Sequence, residues 1–293
     1  MTSAKGFLAV DKPHGITSNQ VVGQVKKATG VNKIGHAGTL DPMATGVLVL
    51  AVGKVTRLIR YIQDQAKEYV ATALFGVATD TLDADGAVLS REPMEFDEDD
   101  IEAIVPRFVG TISQIPPMVS ALKKNGRRLY ELARQGQVIE REARQVDVYD
   151  LEILSVGAPP YPEVAFRVVC GKGTYVRSLA DDMAAVLGGQ AHLTELRRTR
   201  IGSFGVRDSV TIDDLQNWES YLMTPAAALA DLSSVVVDEE TAQGVRNGMR
   251  YLGGPIMSGP AGEPFSVLSE DGDLIAVYTR SGNRADPEVV LPS

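Results

Sequence analysis

The sequence of 293 residues has little of what disulfide-bonded, metal-binding or membrane proteins need. Its one cysteine, Cys170, cannot form an internal disulfide, which is typical of a protein of the reducing cytoplasm. The three histidines are isolated and no Cys-x-x-Cys pair occurs, so we expect no bound metal. The longest apolar runs, such as VLVLAV at 47–52, are too short to span a bilayer, and the first residues lack the features of a signal peptide. We therefore expect a cytoplasmic protein that does not associate with membranes.

Motifs for nucleotide cofactors are also missing. No Gly-x-x-x-x-Gly-Lys-Ser/Thr loop occurs, and the glycine-containing pieces do not follow the Rossmann pattern. The sequence therefore predicts no cofactor. What is present is an ordinary globular composition, with 44% hydrophobic and 23% charged residues.

Charge is unevenly distributed along the chain. The net charge of −9 argues at first against a nucleic-acid partner, but basic side chains concentrate in residues 119–145 and in LRRTR at 196–200. Such stretches can bind a polyanion locally even in an acidic protein. A solvated helix face explains either stretch equally well when it is taken alone.

The apolar pattern predicts an α+β protein with two domains. KGFLAVDKP at 5–13, VLVLAVG at 47–53 and KEYVATALFG at 67–76 are typical of strands, and the second is expected to be buried on both faces because its apolar residues are continuous. We expect a large domain over residues 1–231 and a small, mainly β module over residues 232–293.

The sequence predicts two helices that flank the motifs described below. One is predicted from an N-cap at Thr17 or Ser18 to about Ala28, closed by Gly30. The other has an apolar stripe at helical spacing between residues 174 and 187.

GHAGTLDPMATG at 35–46 stands directly before the buried strand. Gly, Asp and Pro form turns, so a loop is the simplest interpretation. Asp41 precedes Pro42, which biases the aspartate towards an extended backbone. A carboxylate on a glycine-flanked loop at a strand edge is also a usual place for a nucleophile or base. The loop taken alone leaves both interpretations open.

GKGTYVRS at 171–178 offers a partner for that carboxylate. Arg177, at the start of the predicted helix, supplies a guanidinium that could pair with Asp41 and fix its rotamer. Alternatively, Tyr175 and Arg177 are surface residues of a helix cap. Tyr69 is similarly open, because a tyrosine on a strand either stacks on a nucleobase in a cleft or packs in a core.

Five motifs in a fixed order resemble the TruB family of tRNA pseudouridine synthases, which modify uridine 55 in the T loop. They span about residues 6–200. The motifs are VDKPHGITS at 10–18, GHAGTLDPMATGVL at 35–48, KEY at 67–69 leading into TDTLDADG at 79–86, PPMVSALKKNGRRLYELARQG at 116–136, and CGKGTYVRSLADD at 170–182 with HLTELRR at 192–198. The resemblance implies a pseudouridine synthase fold with a mixed, largely antiparallel central sheet and a small C-terminal module of PUA-like type.

The resemblance also implies catalytic roles. Asp41 matches the catalytic aspartate, Arg177 the arginine that pairs with it, and Tyr69 the tyrosine that stacks on the target uracil. The implied reaction breaks the N1–C1′ bond, rotates the uracil and rejoins it through C5, with no cofactor. An ionised Asp41 would attack C1′, stabilise positive charge there or assist removal of a C2′ proton, and the sequence does not choose among these.

Other matching residues are expected to bind RNA or to support the loop. His36 matches a histidine that packs among the bases near the flipped nucleotide, and Tyr175 and Leu196 match residues that line the uridine pocket. Support of the active-site loop is expected from Lys12, Pro13, Gly38 and Thr39. The basic stretch falls in a thumb-like insertion, about residues 110–145, whose expected phosphate contacts are Lys123, Lys124, Arg127 and Arg128.

The implied partner is the T stem-loop of tRNA, bound by a monomer that needs no guide RNA or protein partner. Two rival functions remain at this stage. One is a tRNA-binding folding factor whose catalysis is incidental or lost; the intact Asp41, Tyr69 and Arg177 argue against loss of activity but not against a dual role. The other is a glycoside or nucleoside hydrolase, which needs a second carboxylate. The candidates for that carboxylate, by position only, are Asp80, Asp83 and Asp85.

Overall fold

The computed structural model describes residues 5–119 and 139–292, together with the backbone of 123–124 and 127–128. An eleven-stranded sheet and a four-stranded sheet carry most of the fold. No helix within these ranges is long and apolar enough to cross a lipid bilayer. The strands are, in chain order, β1 (Gly6–Lys12), β2 (Ile34–His36), β3 (Thr45–Val52), β4 (Lys67–Phe75), β5 (Val77–Thr79), β6 (Val88–Arg91), β7 (Gly110–Gln114), β8 (Lys123–Lys124), β9 (Arg127–Arg128), β10 (Arg144–Val156), β11 (Glu163–Cys170), β12 (Ala191–Ile201), β13 (Phe204–Gly205), β14 (Val210–Thr211), β15 (Leu222–Met223), β16 (Ser234–Val237), β17 (Pro264–Ser269), β18 (Leu274–Ser281) and β19 (Arg284–Val290).

Helices cover the sheets and connect their strands. The α-helices are α1 (Ser18–Thr29), α2 (Ile59–Asp64), α3 (Glu98–Ile104), α4 (Val176–Val186), α5 (Pro225–Ala228) and α6 (Glu239–Arg246). Short 3₁₀ helices occupy Gly53–Leu58, Val105–Phe108, Val206–Asp208, Leu215–Tyr221 and Pro255–Ser258.

The large sheet has the strand order β14-β1-β3-β12-β4-β11-β10-β7, and β2, β13 and β15 pair at its side with β3, β12 and β1. The pairs β1–β14 and β3–β12 are parallel, and the other pairs of this sheet are antiparallel. The predicted α+β fold with a mixed, largely antiparallel sheet is confirmed. Strand β12, from late in the chain, lies between two strands from its beginning.

Helix α1 begins and ends where the local sequence predicts. Thr17 is the N-cap, and its side chain accepts from the Gln20 N–H while the Gln20 side chain accepts from the Thr17 N–H. Gly30 closes the helix in the left-handed conformation, φ 68°, and its N–H donates to the Lys26 carbonyl.

Strand β3 is buried on both faces, which its continuous apolar run predicts. Leu50 packs in a cluster with Val21 of α1, whereas Val49 packs on the opposite face with Leu274 of the small sheet. A fully buried aliphatic side chain of this kind stabilises the fold by about 1.5–3 kcal/mol. The strand that follows the Asp41 loop is therefore a rigid support.

The C-terminal part contains the four-stranded sheet, order β16-β17-β18-β19, and α6. The predicted small, mainly β module is thereby confirmed, while its boundary between residues 231 and 232 stays a prediction. Glu288 of β19 fastens the module to α2, because its Oε2 lies 2.5 Å from Arg60 Nη2 and accepts a 2.8 Å hydrogen bond from the Tyr61 hydroxyl.

Candidate active site

The Asp41 loop, residues 37–44, joins β2 to β3. The Ala44 N–H donates to the Asp41 carbonyl at 3.1 Å, which closes a tight turn around the aspartate. Gly46, just after the loop, has φ 99°, and a Cβ there would collide with the Arg198 carbonyl of β12. Glycine is needed at this position both for its backbone conformation and for the close approach of β3 to β12.

Lys12, the last residue of β1, holds the loop from inside the protein. Its Nζ donates to the carbonyls of Ile16 (2.7 Å), Pro13 (3.0 Å) and Pro42 (3.2 Å). The side chain is fully buried, and this desolvation lowers the pKa of the ammonium to about 8, although the nearby Asp41 carboxylate opposes the shift. A cation thus ties the Asp41 loop, through Pro42, to the turn between β1 and α1.

Ser18, the first residue of α1, holds the loop from the other direction. Its Oγ accepts from the Leu40 N–H at 2.9 Å and donates to the Leu40 carbonyl at 3.1 Å. The residue before Asp41 is therefore attached to the helix start. Gly38 has φ 96° and Thr39 is exposed, so both shape the loop backbone without a buried side chain.

Arg177, in the first turn of α4, reaches the Asp41 carboxylate. Its Nη2 lies 2.9 Å from Asp41 Oδ2. The Arg177 side chain is only 3% exposed, whereas the Asp41 side chain is 37% exposed. The carboxylate is consequently held by a buried cation on one side and open on the other, as a group that acts on a bound molecule must be.

Asp83 is a second carboxylate on the same guanidinium. Its Oδ2 lies 3.1 Å from Arg177 Nη1, which also donates to the Thr81 carbonyl at 2.7 Å. Burial raises the pKa of Asp83, and the Thr81 hydroxyl and the Arg177 cation oppose that rise. Arg177 therefore spans two acids from two loops, and this planar fork leaves it little freedom to rotate.

Tyr69 lies on β4 beside a second buried arginine. The tyrosine is 9% exposed and packs in the same cluster as Leu40 and Leu196. The Arg198 guanidinium lies 6.0 Å from the centre of the Tyr69 ring, and burial raises the pKa of the tyrosine hydroxyl. Arg198 Nε donates to the Val47 carbonyl at 2.7 Å, so this cation joins Tyr69 to the strand behind Asp41.

The remaining expected pocket residues belong to elements that also carry this centre. Leu196 of β12 is 8% exposed and pairs in register with Ala71 of β4. Tyr175 is half-buried and is the N-cap of α4, and His36 is the last residue of β2, directly before the Asp41 loop.

The basic run LRRTR is not a free cationic surface. Arg198 is fully buried, Arg197 forms a bidentate ion pair with Asp11, and Arg200 lies 3.8 Å from Glu68. Because the run belongs to β12 at the centre of the sheet, its cations have internal partners. The prediction that this run binds a polyanion is wrong for Arg198, and so is the alternative of a solvated helix face.

The second basic stretch lies mostly outside the described residues. Its backbone forms two paired strands, with Lys123 opposite Arg128 and Lys124 opposite Arg127. The side chains of Lys123, Lys124, Arg127 and Arg128 lie outside the described residues, so their phosphate contacts stay predictions.

Two adjoining parts of the chain match models of the same protein family. Residues 26–176 match the model for the N-terminal domain of the TruB family of pseudouridylate synthases. Residues 177–242 match the C-terminal domain of tRNA pseudouridylate synthase B. The chain belongs to the TruB family. The first match contains Asp41, Tyr69 and Asp83, and the second begins at Arg177, so the ion-pair network joins both family domains.

Curated relatives of this TruB chain match over nearly its whole length. A protein of Moorella thermoacetica named tRNA pseudouridine synthase B is 41% identical over 284 residues, which cover 94% of this chain and 91% of the relative. A protein of the same name from Thermobifida fusca is 40% identical and covers 98% of this chain and 99% of the relative.

Solved structures agree on the fold. A chain of a Cbf5–Nop10–Gar1 complex is 28% identical with a TM-score of 0.77, and the alignment covers 98% of this chain and 85% of that one. A chain from an H/ACA ribonucleoprotein bound to a substrate RNA containing 2′-deoxyuridine is 26% identical, with a TM-score of 0.74 and coverage of 98% and 85%.

Two residues of the TruB site have no role in the pseudouridine synthase site that the sequence predicts. Asp83 was only a positional candidate for a hydrolase acid, and its contact with Arg177 crosses 94 residues of chain. Arg198 was counted with a basic run. One local signal does exist: Arg198 stands two positions after Leu196 and so shares its buried strand face.

Proposed function

We propose that this TruB chain converts uridine 55 in the T loop of tRNA to pseudouridine. The observation that carries the proposal is the position of the Asp41 carboxylate, which is 37% exposed and lies 2.9 Å from the buried Arg177 guanidinium. The two residues are 136 positions apart in the chain (177 − 41). The relatives named tRNA pseudouridine synthase B, at about 40% identity, support the choice of tRNA as substrate.

The reaction changes the uracil atom that is bonded to C1′ of the ribose, from N1 to C5. The N1–C1′ bond breaks and its electron pair leaves with the base; after rotation the C5–C1′ bond forms, C5 loses its proton and N1 gains one. The ribose carbon is electron-poor while the bond is broken, and an ionised Asp41 stabilises it directly, as a nucleophile or as an adjacent charge. Arg177 is a positioning residue in this scheme, because Asp83 and Asp41 share it.

Access to the carboxylate requires the uridine to leave its stack, which costs on the order of a few kcal/mol. Tyr69 provides the aromatic surface that offsets part of this cost, by about 1–3 kcal/mol per stacked base. Because Tyr69 is 9% exposed, the base meets a fixed ring backed by Arg198 rather than a mobile side chain. His36 lies at the entrance to the same loop, where it can pack against the neighbouring bases.

A basic groove between the large sheet and the C-terminal module provides a second RNA contact. It has a volume of about 510 Å³ and is lined by Lys33, Lys54, Arg57 and Arg246, with an apolar wall from residues 290–292. Among the described residues, no carboxylate lies within 4.0 Å of the first three cations, while Arg246 pairs with Glu239 at 2.7 Å. In a chain of net charge −9, free cations grouped in this way favour phosphate binding.

The groove lies at the opposite end of the β2–β3 pair from the Asp41 loop. Lys33 immediately precedes β2 and Lys54 follows β3, so both stand where Ile34 pairs with Val52, whereas the Asp41 loop joins the other ends of these strands. In this proposal a monomer binds tRNA through the groove and the predicted insertion at 110–145. It needs no guide RNA or protein partner and acts in the cytoplasm. Residues 232–293 contribute Arg246 to this surface, which gives the acidic PUA-like module a local role in RNA binding.

The proposal is tested on purified protein with an unmodified tRNA transcript in the presence of a chelator. We expect pseudouridine at position 55 alone, mapped nucleotide by nucleotide. Asp41→Asn keeps the shape of the side chain and should bind the tRNA with unchanged affinity but form no product. Size-exclusion chromatography with light scattering should show a monomer.

Three results would contradict the proposal in different ways. Product at other positions would overturn the substrate site, and turnover by Asp41→Asn would overturn the catalytic assignment. Release of free uracil would instead identify a hydrolase, with Asp83 as its second acid.

A further inference from the structure

The segment at residues 114–119 starts at the end of β7, in the first part of the predicted RNA-gripping insertion. Four hydrogen bonds attach it to the start of α4. The Gln114 carboxamide bonds to the backbone of Tyr175, the Ile115 carbonyl accepts from the Ser178 hydroxyl at 3.0 Å, and the Val119 carbonyl accepts from Arg177 Nη2 at 2.8 Å. The entry to the insertion and the helix that carries Arg177 are therefore one connected unit.

Gln114 makes two of these four hydrogen bonds. Its Nε2 donates to the Tyr175 carbonyl at 3.1 Å, and its Oε1 accepts from the Tyr175 N–H at 2.8 Å. The side chain is 2% exposed. Tyr175 caps α4 without any side-chain cap of its own, so the glutamine satisfies a backbone N–H that precedes the helix. Both polar atoms of this buried amide thus bond to the backbone of Tyr175, the N-cap of α4.

Arg177 shows why this attachment concerns the chemistry. Its Nη2 is shared between Asp41 Oδ2 at 2.9 Å and the Val119 carbonyl at 2.8 Å. The contact with Asp41 is an ion pair and the contact with Val119 is a hydrogen bond, so this one nitrogen meets both groups. A shift of Val119 away from α4 would remove one of the two groups that fix this nitrogen in front of Asp41.

We propose that Gln114 is a positioning residue of the active site, which holds residues 114–119 against α4 so that Arg177 meets Asp41 and Val119 together. The inference rests on the proposed function. Gln114 itself contacts no reacting atom in this scheme. Its removal should slow the chemical step without weakening tRNA binding.

The test compares Gln114→Met with the control Thr29→Val. Thr29 is matched because it is 6% exposed and also makes one donated and one accepted hydrogen bond with backbone, but at the far end of α1. For each variant the measurements are the single-turnover rate at saturating tRNA, the Kd for tRNA and the Tm. We expect a similar fall in Tm for both, and about a tenfold fall in rate for Gln114→Met alone, with its Kd within about twofold of the parent value.

Two further variants keep the inference open to contradiction if Gln114→Met folds poorly. Ser178→Ala removes only the Ile115 contact and should lower the rate by about twofold to threefold with Kd unchanged. In an Arg177→Lys background, Gln114→Met should have almost no additional effect on rate, because both changes act through the same contact.

The inference is overturned if Gln114→Met and Ser178→Ala both keep the parent rate, or if their loss lies wholly in the Kd for tRNA. It is also overturned if Thr29→Val loses as much rate as Gln114→Met, or if the effects of Gln114→Met and Arg177→Lys on the rate multiply. A parent protein that makes no pseudouridine would instead contradict the proposed function itself.

Discussion

Two sets of cations in this TruB chain differ in what surrounds them. Around the Asp41 loop, Lys12, Arg177 and Arg198 are buried, and protein carbonyls or carboxylates occupy their donors. In the basic groove, Lys33 and Lys54 are exposed and have no carboxylate partner in the described part of the chain. The cations of the first set therefore have few donors left for an external anion, whereas Lys33 and Lys54 are open to one.

The difference separates positioning from binding. A buried cation that already satisfies protein groups acts by fixing them, and its loss leaves those groups unpaired in a medium of low dielectric constant. An exposed cation acts on mobile phosphates and is screened by salt. Substitutions in the first set should therefore change rate or stability, and substitutions in the second should change affinity and its salt dependence.

The largest effect is expected from Arg177→Met. Asp41 and Asp83 lose their shared partner, and the single-turnover rate at saturating tRNA should fall by about 10³-fold, the upper range for loss of one electrostatic group in an active site. The Kd for tRNA should stay within about threefold. Asp83→Asn is the matched milder change, since Arg177 keeps Asp41, and a loss as large as that of Arg177→Met would show that Asp83 has a separate role.

Lys12→Met should mainly affect stability. Three carbonyls lose their donor, so we expect the free energy of unfolding in urea to fall by about 3 kcal/mol. Lys33→Met is the control from the groove and should change it by less than about 0.5 kcal/mol. Equal effects of the two changes would remove the distinction between the two sets.

The groove double variant, Lys54→Ala with Arg57→Ala, should weaken tRNA binding by about tenfold and lower the slope of log K against log salt by about two. Tm and the rate at saturating tRNA should match the parent values. Arg284→Ala, an exposed cation paired with Asp286, is the control. An unchanged salt slope in the double variant would show that the groove does not contact phosphate.

The remaining prediction concerns the pH dependence of stability. Burial lowers the pKa of Lys12 from 10.5 to about 8, so between these values the unfolded chain holds a proton that the folded chain has lost. Stability from this group therefore rises from pH 8 to pH 10.5. Lys12→Met should flatten the rise measured by urea unfolding; the difference between parent and variant removes the opposing contribution of Cys170, whose pKa burial raises to about 11. A difference independent of pH would contradict the shift.

Local features of the fold were predictable from the sequence. The caps of α1 at Thr17 and Gly30 follow from side chains within one turn of each end, and the burial of β3 follows from its continuous apolar run. The loop around Asp41 was predictable for the same reason, because glycine and proline act on the backbone where they stand.

The contacts that make the site work were not predictable in this way. Asp83 and Arg177 meet across 94 residues, and Gln114 reaches Tyr175 across 61. Such pairs depend on strand order, which periodicity does not report. Arg198 also shows the limit of composition, since a residue in a basic run is fully buried once its strand lies at the centre of the sheet.

The central position of β12 sets the order in which the enzyme can become active during its synthesis. Ribosomes deliver β1, β3 and β4 first, yet β3 and β4 do not pair with each other, because β12 lies between them. Until residues 191–201 have emerged, the chain holds two separate groups of strands, and Asp41 on one of them has not been joined to Tyr69 on the other. A nascent chain that ends before this strand cannot yet modify RNA, so activity begins only when most of the protein has been made.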